Sequence, residues 1–319
     1  MRKALKQIDQ YEKMAYFIQL EQLIEEYNIS IFVDKLKLCY NVINDEIIKY
    51  LEEHQPEIYH LYDFDLVRIE GKHFNDTYQI VYNDLDKDGN IAPHIFGELK
   101  FNLKSQSKDG ENLNHHKKVW IYVNNYILYS KDKRVIHLSF ISERLGLTLN
   151  NVTGIEIAID TNKNIPKRIK QYLRDKGITT ILNGKTILNR KDDRPEIEYI
   201  HSGDMDRYKY MSVYIKQQKA INNKSNGTII CCYDKLSECK NSDKNYVLDY
   251  YDMPNKLYRL EVRTTNENFK KFLDKYQIEL IEPLLWNRGF ILEAFLYFFN
   301  SVIRLKSADN DISLWDILY

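Results

Sequence analysis

The sequence predicts an α+β protein, a large β-sheet flanked by helices with further helical elements at both ends of the chain. Tyr and Phe are abundant, 25 and 13 of 319 residues, while Gly (11) and Pro (6) are sparse; aromatic and β-branched enrichment favours strands. Between residues 62 and 130, runs of strand length rich in Val, Ile, Tyr and Phe alternate with polar loops. Both ends of the chain instead carry apolar residues at helical spacing.

The composition bounds the function. With 44% apolar and 29% charged residues the chain is a folded one with a sizeable core. Lys+Arg and Asp+Glu are both 46, so the net charge is zero and a uniformly basic nucleic-acid coat is excluded; local basic faces are not. Cys39, Cys231, Cys232 and Cys239 form no CxxC, so neither a disulfide framework nor a zinc site is indicated. No apolar stretch reaches about 18 residues and no secretory leader is evident. A reduced, cytoplasmic protein with no membrane partner is the expectation.

Taken in order, residues 3–27 place Leu5, Ile8, Met14, Phe17, Ile18, Leu20, Leu23 and Ile24 between charges, the stripe of an amphipathic helix. The period changes over Asn28–Tyr40, a strand. Asn44, followed by Asp45 and Glu46, caps a short helix to about Glu53. Strands are expected at 64–71, 77–82, 94–103 and 118–130. The loop at 84–90 lacks the full ligand series of a calcium loop and reads as a hairpin loop. His137–Leu149 reads as a helix and Val152–Asp160 as a strand, with Glu156, Ala158 and Asp160 on one face. Pro166–Lys176 is a helix whose Lys167, Arg168 and Lys170 suit a phosphate-facing surface. A hairpin turning at Asn183-Gly184 and a strand at Glu196–His201 follow. Over 206–218, Arg207, Lys209 and Lys216 interleave with Tyr208, Tyr210 and Tyr214, a pattern that suits base stacking and phosphate pairing.

Gly227–Asp234 is a short apolar strand running into Lys235 and Glu238, and Leu257–Arg263 alternates apolar and charged residues in period two. Helices are expected at Glu267–Tyr276 and Leu280–Leu305, the second strongly apolar, before a short tail. The chain thus divides into an N-terminal helix (1–30), an α+β region (31–275) and a C-terminal helical segment (276–319).

No Walker A loop, dinucleotide glycine fingerprint, HExxH, GxSxG or His-x-His occurs. What remains is carboxylates on strands and tyrosines near cations. A tyrosine that attacks a DNA phosphate must lose a proton with an ordinary pKa of about 10, so it needs positive charge beside it. Lys235, two residues from Tyr233, shares its face if the strand continues. Hard oxygen ligands suit Mg²⁺ or Mn²⁺, and Glu156, Asp160 and Glu261 are the candidates. Glu156 and Asp160 lie about 13 Å apart on a straight strand at about 3.3 Å per residue, so at most one binds directly unless the strand bends. Glu156 with Glu261 is the preferred pair, leaving Asp160 as alternative ligand or structural partner.

The series Gly-Ile-Glu-Ile-Ala-Ile-Asp160, Tyr199-Ile-His-Ser202, Tyr233-Asp-Lys235 with Glu238, and Tyr258-Arg-Leu-Glu-Val-Arg263 resembles the Rep-trans class of plasmid rolling-circle replication initiators, over roughly residues 30–275. The resemblance implies a central antiparallel β-sheet with flanking helices. It also implies metal-dependent, sequence-specific nicking and rejoining of one origin strand through a covalent 5′-phosphotyrosine. By it, Tyr233 is the nucleophile and Lys235 its neighbouring cation. Glu156 or Asp160, with Glu261, forms the metal side, and Arg259 and Arg263 contact phosphate. The implied partners are origin DNA, double-stranded and locally single-stranded, a host or plasmid helicase and a second copy of the chain. Two features depart from the family: its Tyr-Ile-Gly-Ser reads Tyr-Ile-His-Ser here, and Tyr214-Ile-Lys216 is a second, looser match to the nucleophile motif. Tyr233 is preferred over Tyr214 for its Asp-Lys context and its position 26 rather than 45 residues before Arg259. The competing reading is an origin-binding initiator without chemistry, its carboxylates structural and its tyrosines a stacking surface.

Overall fold

The alternating runs of the sequence become strands that pair antiparallel, and the apolar stripes become helices packed against them. The computed structural model describes residues 8–26, 28–85, 90–104, 107–108, 111–112, 117–129, 134–187, 195–202, 210–217, 220–221, 227–308 and 310–318. The chain forms two compact units, unit 1 from Met1–Asp34 with Ile155–Tyr319 and unit 2 from Lys35–Gly154. The N-terminal helix and the C-terminal segment therefore belong to the same unit as residues 155–275.

Unit 1 opens with α1 (Gln10–Glu26) and the first residues of β1 (Ser30–Val42). Unit 2 continues β1 and adds α2 (Glu46–His54), β2 (Ile58–His60), β3 (Asp65–Arg68), β4 (Phe74–Leu85), β5 (Ile91–Leu103), β6 (Ser107–Lys108), β7 (Glu111–Asn112), β8 (Lys118–Val123), α3 (Asn125–Leu128), α4 (Arg134–Arg144) and the start of β9 (Leu147–Thr161). Its main sheet has the order β9-β1-β8-β5-β4-β3-β2, and β6 pairs with β7. Leu36, Leu38, Tyr78, Ile80, Leu99 and Ile121 are buried in its core.

Local chemistry explains where unit 2 departs from expectation. The strand expected at 118–130 stops at Val123, because Asn124 accepts a hydrogen bond from the Tyr126 amide and starts α3. The helix expected to reach Leu149 ends at Arg144, and β9 begins at Leu147. α2 starts one residue later than an Asn44 cap would give: Asp45 is the N-cap and makes no side-chain cap bond, while Asn44 Oδ1 accepts from the Glu46 amide at 3.1 Å. The loop at 84–90 lies mostly outside the described residues.

Unit 1 resumes along β9 with α5 (Ile165–Arg174), β10 (Ile178–Leu182), β11 (Lys185–Thr186), β12 (Ile197–Ser202), β13 (Tyr210–Lys216), β14 (Ile229–Asp234), α6 (Lys235–Asn241), α7 (Asn245–Tyr250), β15 (Tyr258–Thr265), α8 (Asn266–Tyr276), a 3-10 turn (Glu282–Trp286), α9 (Arg288–Val302), β16 (Ile303–Ser307), β17 (Asn310–Ile312) and α10 (Leu314–Leu318). The strand order is β12-β13-β14-β15-β9-β1, with a smaller sheet β11-β10-β16-β17. The hairpin turns at Asn183-Gly184, both at positive φ (50° and 78°), as a two-residue turn requires. The single helix expected over 280–305 is interrupted: Asn287 Oδ1 accepts from the Phe290 amide and starts α9 anew, and residues 303–307 are strand. α1 packs on α9, with Phe17 edge-on to Phe290 and the Tyr16 hydroxyl donating to Glu293 at 2.7 Å. Gly289 permits that approach, since a Cβ there would stand 2.0 Å from the Phe17 carbonyl oxygen. Among the described residues no helix is long and apolar enough to cross a membrane.

Candidate active site

Strand register decides which charges in unit 1 meet. Directly paired residues in an antiparallel ladder share a face. Tyr214 pairs with Cys231 and Cys231 with Glu261, while Tyr233 pairs with Arg259 and Ile229 with Arg263. One face of β13–β15 therefore presents Tyr214, Tyr233, Arg259, Glu261 and Arg263. The alternate residues Val213, Ile215, Ile230, Cys232, Leu260 and Val262 are buried. α5 and α9 pack against β14 and β15, and α5 buries Ile165, Ile169 and Leu173. The apolar row is what those strands offer such a stripe, so the charged row faces the other way.

On the charged face, Asp34, Glu156 and Glu261 each bring a carboxylate oxygen to a point where all three lie within 4.8 Å of one another. They come from β1, β9 and β15. Such a set of hard oxygen donors, without sulfur or imidazole, fits Mg²⁺ or Mn²⁺. Glu261 is wholly buried, and burial first, then the neighbouring Asp34 and Glu156 charges, push its carboxyl above the usual range against the pull of Arg263. Arg263 Nε reaches Glu261 at 2.5 Å and Glu156 at 3.8 Å, with its side chain 41% exposed. Arg259 Nη1 reaches Asp34 at 2.5 Å. Ionised Asp34, Glu156, Asp160 and Glu261 carry four negative charges against these two guanidiniums, so a divalent cation would balance the group.

Tyr233 lies beside this cluster at the end of β14. Its hydroxyl donates to Glu261 Oε2 at 2.8 Å. Burial above all drives the phenol well above its ordinary range; Arg259 opposes that shift and Glu261 adds to it. The phenol therefore keeps its proton until positive charge is brought against it. Tyr214 stands one strand further from the acids, also raised, chiefly by burial.

Several expected roles change. Lys235 does not share Tyr233's strand face: Asp234 Oδ1 accepts from the Ser237 amide at 2.9 Å, so the chain turns into α6 at Lys235. Its buried ammonium bonds Glu238 at 2.7 Å and lies 5.9 Å from the Tyr233 ring centroid. The cation acting most strongly on Tyr233 is Arg259. Arg259 is not a phosphate contact either, because its side chain is fully buried and spans Asp34 and Asp160. Asp160 stands outside the cluster, with both oxygens engaged by Arg259 and one also by Tyr251.

The basic residues are dispersed. Arg168 caps the Ile317 carbonyl at 3.1 Å, Lys170 lies over the Tyr199 ring, and Lys167 is exposed on the same helix, which is on the apolar side of the sheet. Lys216 pairs with Glu198. Arg207 and Lys209 lie outside the described residues. Asp34 is the residue that sequence reading missed; its signal is a lone acid at the end of Ile31-Phe32-Val33, buried with them.

No protein-family model and no curated protein matches the chain. Among solved structures, the chain is similar to the rolling circle replication initiator protein from Geobacillus stearothermophilus, at 11% identity and a TM-score of 0.47 over 91% of this chain and 97% of that one. It is also similar to the TBP of Methanococcus jannaschii, at 7% identity and a TM-score of 0.26 over 77% of this chain and 95% of that one. Both similarities are distant, and the side chains of the charged face are what bear on function.

Proposed function

We propose that this protein initiates rolling-circle replication of a plasmid or related element by nicking and rejoining one strand of origin DNA, with Tyr233 as the nucleophile. The observation that carries the reading is the 2.8 Å hydrogen bond from the Tyr233 hydroxyl to Glu261, one of three carboxylates gathered within 4.8 Å. Asp34, Glu156 and Glu261 would hold the divalent cation. A cation bound there would supply positive charge to neutralise the phosphate and the charge developing in the transition state. Glu261 accepts the phenol proton along the existing hydrogen bond. The Tyr233 oxygen then forms a bond to phosphorus as the bond to the 3′ oxygen breaks, and that oxygen takes up a proton from solvent, leaving a 3′ hydroxyl and a 5′-phosphotyrosine. Attack by a 3′ hydroxyl on that ester reverses the step and rejoins a strand. Arg263, partly exposed beside Glu156 and Glu261, would contact the phosphate.

The test is incubation with supercoiled origin-bearing DNA and Mg²⁺ or Mn²⁺, followed by mapping of the protein–DNA adduct. A 5′ adduct on Tyr233, lost in Tyr233→Phe, is expected. Nicking that survives both Tyr233→Phe and Tyr214→Phe would overturn the assignment. Origin binding with no nicking under any divalent metal would favour the non-catalytic initiator instead.

A further inference from the structure

Asp160 is the candidate ligand that the carboxylate cluster leaves out, and its surroundings give it another task. Its fully buried carboxylate receives Arg259 as a parallel fork, Nε on Oδ1 at 2.7 Å and Nη2 on Oδ2 at 2.6 Å. Oδ2 also accepts from the Tyr251 hydroxyl at 2.9 Å. With that proton committed, the Ser30 hydroxyl, 2.7 Å away, donates to the Tyr251 oxygen. The remaining arm of the guanidinium, Nη1, reaches Asp34 at 2.5 Å, and the Phe32 ring lies 5.1 Å from the guanidinium carbon. The series Ser30, Tyr251, Asp160, Arg259 thus ends on Asp34, a member of the cluster.

We infer that Asp160, Tyr251 and Arg259 form a buried brace that fixes the position and orientation of Asp34 for a divalent cation, with Asp160 a positioning residue rather than a ligand. A guanidinium is planar and rigid, so holding two of its nitrogens in a fork fixes the direction of the third. Held at Oδ1 by Arg259, the Asp34 carboxylate is fixed in direction beside Glu156 and Glu261. Without Asp160 the guanidinium swings onto Asp34 and Glu261 and occupies lone pairs that the cation needs. The inference rests on the metal site proposed above.

Mn²⁺ binding to the metal-free full-length protein, measured by calorimetry and by the Mn²⁺ paramagnetic resonance signal, tests it, with thermal melts in chelator giving the structural effect separately. Asp160→Asn should weaken Mn²⁺ binding by about 10- to 100-fold, as loss of an outer-sphere partner does. Tyr251→Phe, which keeps the fork and removes one hydroxyl, should weaken it by roughly two- to tenfold. Tyr16→Phe is the matched control: it removes another tyrosine–carboxylate hydrogen bond of unit 1, to Glu293 on α9, and should lower the melting temperature while binding Mn²⁺ as the parent does. Wild-type Mn²⁺ affinity in both Asp160→Asn and Tyr251→Phe overturns the brace and leaves the metal site standing. A parent protein that binds no Mn²⁺ overturns both. Should Asp160→Asn fail to fold, Tyr251→Phe decides alone.

Discussion

Unit 1 and unit 2 are both antiparallel sheets with helices packed on them, yet they treat buried charge in opposite ways. Unit 1 buries Lys13, Asp34, Asp160, Lys235, Arg259, Glu261 and Glu293. Among the described residues of unit 2 the one buried charged side chain is Asp76, which accepts from Asn102 at 2.7 Å. Ionised groups out of water are expensive even when paired, and apolar residues of like size often serve stability as well or better. Unit 2 shows what this architecture needs in order to fold. Four of the buried charges of unit 1, Asp34, Asp160, Arg259 and Glu261, lie on strands around Tyr233, whereas Lys13, Lys235 and Glu293 lie on helices.

The contrast breaks most sharply at Tyr233. Phenylalanine there should reduce nicking by on the order of 10⁴-fold or more, the scale of losing a nucleophile, with the fold intact by circular dichroism; unaltered nicking would move the chemistry elsewhere. Next in size is Glu261→Gln, which keeps the shape and removes the charge. It should weaken Mn²⁺ binding by about 100-fold and slow adduct formation in single-turnover assays, whereas a purely structural Glu261 would leave both unmoved.

A smaller effect follows from the raised carboxyl of Glu261. A folded-state pKa above the unfolded one adds stability below the unfolded pKa, and that stability is lost as pH rises through the folded value. A divalent cation binds the ionised form, so it should restore more at higher pH. The rise in melting temperature on adding Mn²⁺ should be larger at about pH 8 than at about pH 5; the reverse order would remove Glu261 from the site.

The smallest effect is expected in unit 2. Burial first, and Glu52 among the lesser causes, raise the Asp76 carboxyl, while Asn102 opposes them. By the same sign rule its ionisation works against folding near neutral pH. Asp76→Asn, still able to accept from Asn102, should therefore leave stability unchanged or higher by up to about 1 kcal/mol at about pH 7. The difference should close on acidification, and Mn²⁺ affinity should not move. A large loss of metal binding in this variant would erase the distinction between the units.

Much of the site was legible where the signal was local. Period two along Leu257–Arg263 places Arg259, Glu261 and Arg263 on one face, and β15 follows it. The same rule placed Glu156 on β9 and left Asp160 too far along the strand to join it at one ion. Lys235 left the strand face it was expected to share with Tyr233 because Asp234 is as good an N-cap as it is a strand residue, and the cap formed, though its ammonium still lies 5.9 Å from the Tyr233 ring centroid. The phosphate-facing reading of Lys170 and Arg168 met a competing use for each cation, one stacked on Tyr199 and one on a tail carbonyl.

By itself, the sequence determined the α+β class, most of the strands, and which side chains alternate onto a common face, because period and composition act over neighbouring residues. It also determined Tyr233 as the tyrosine at the end of an apolar strand. The tertiary structure alone decided that Asp34, more than a hundred residues before Glu156 and Glu261, joins them, and that Arg259 turns inward to hold two acids. Those outcomes depend on strand order and register between distant segments, and on the penalty for leaving a buried charge without its partner, neither of which is carried by any local pattern.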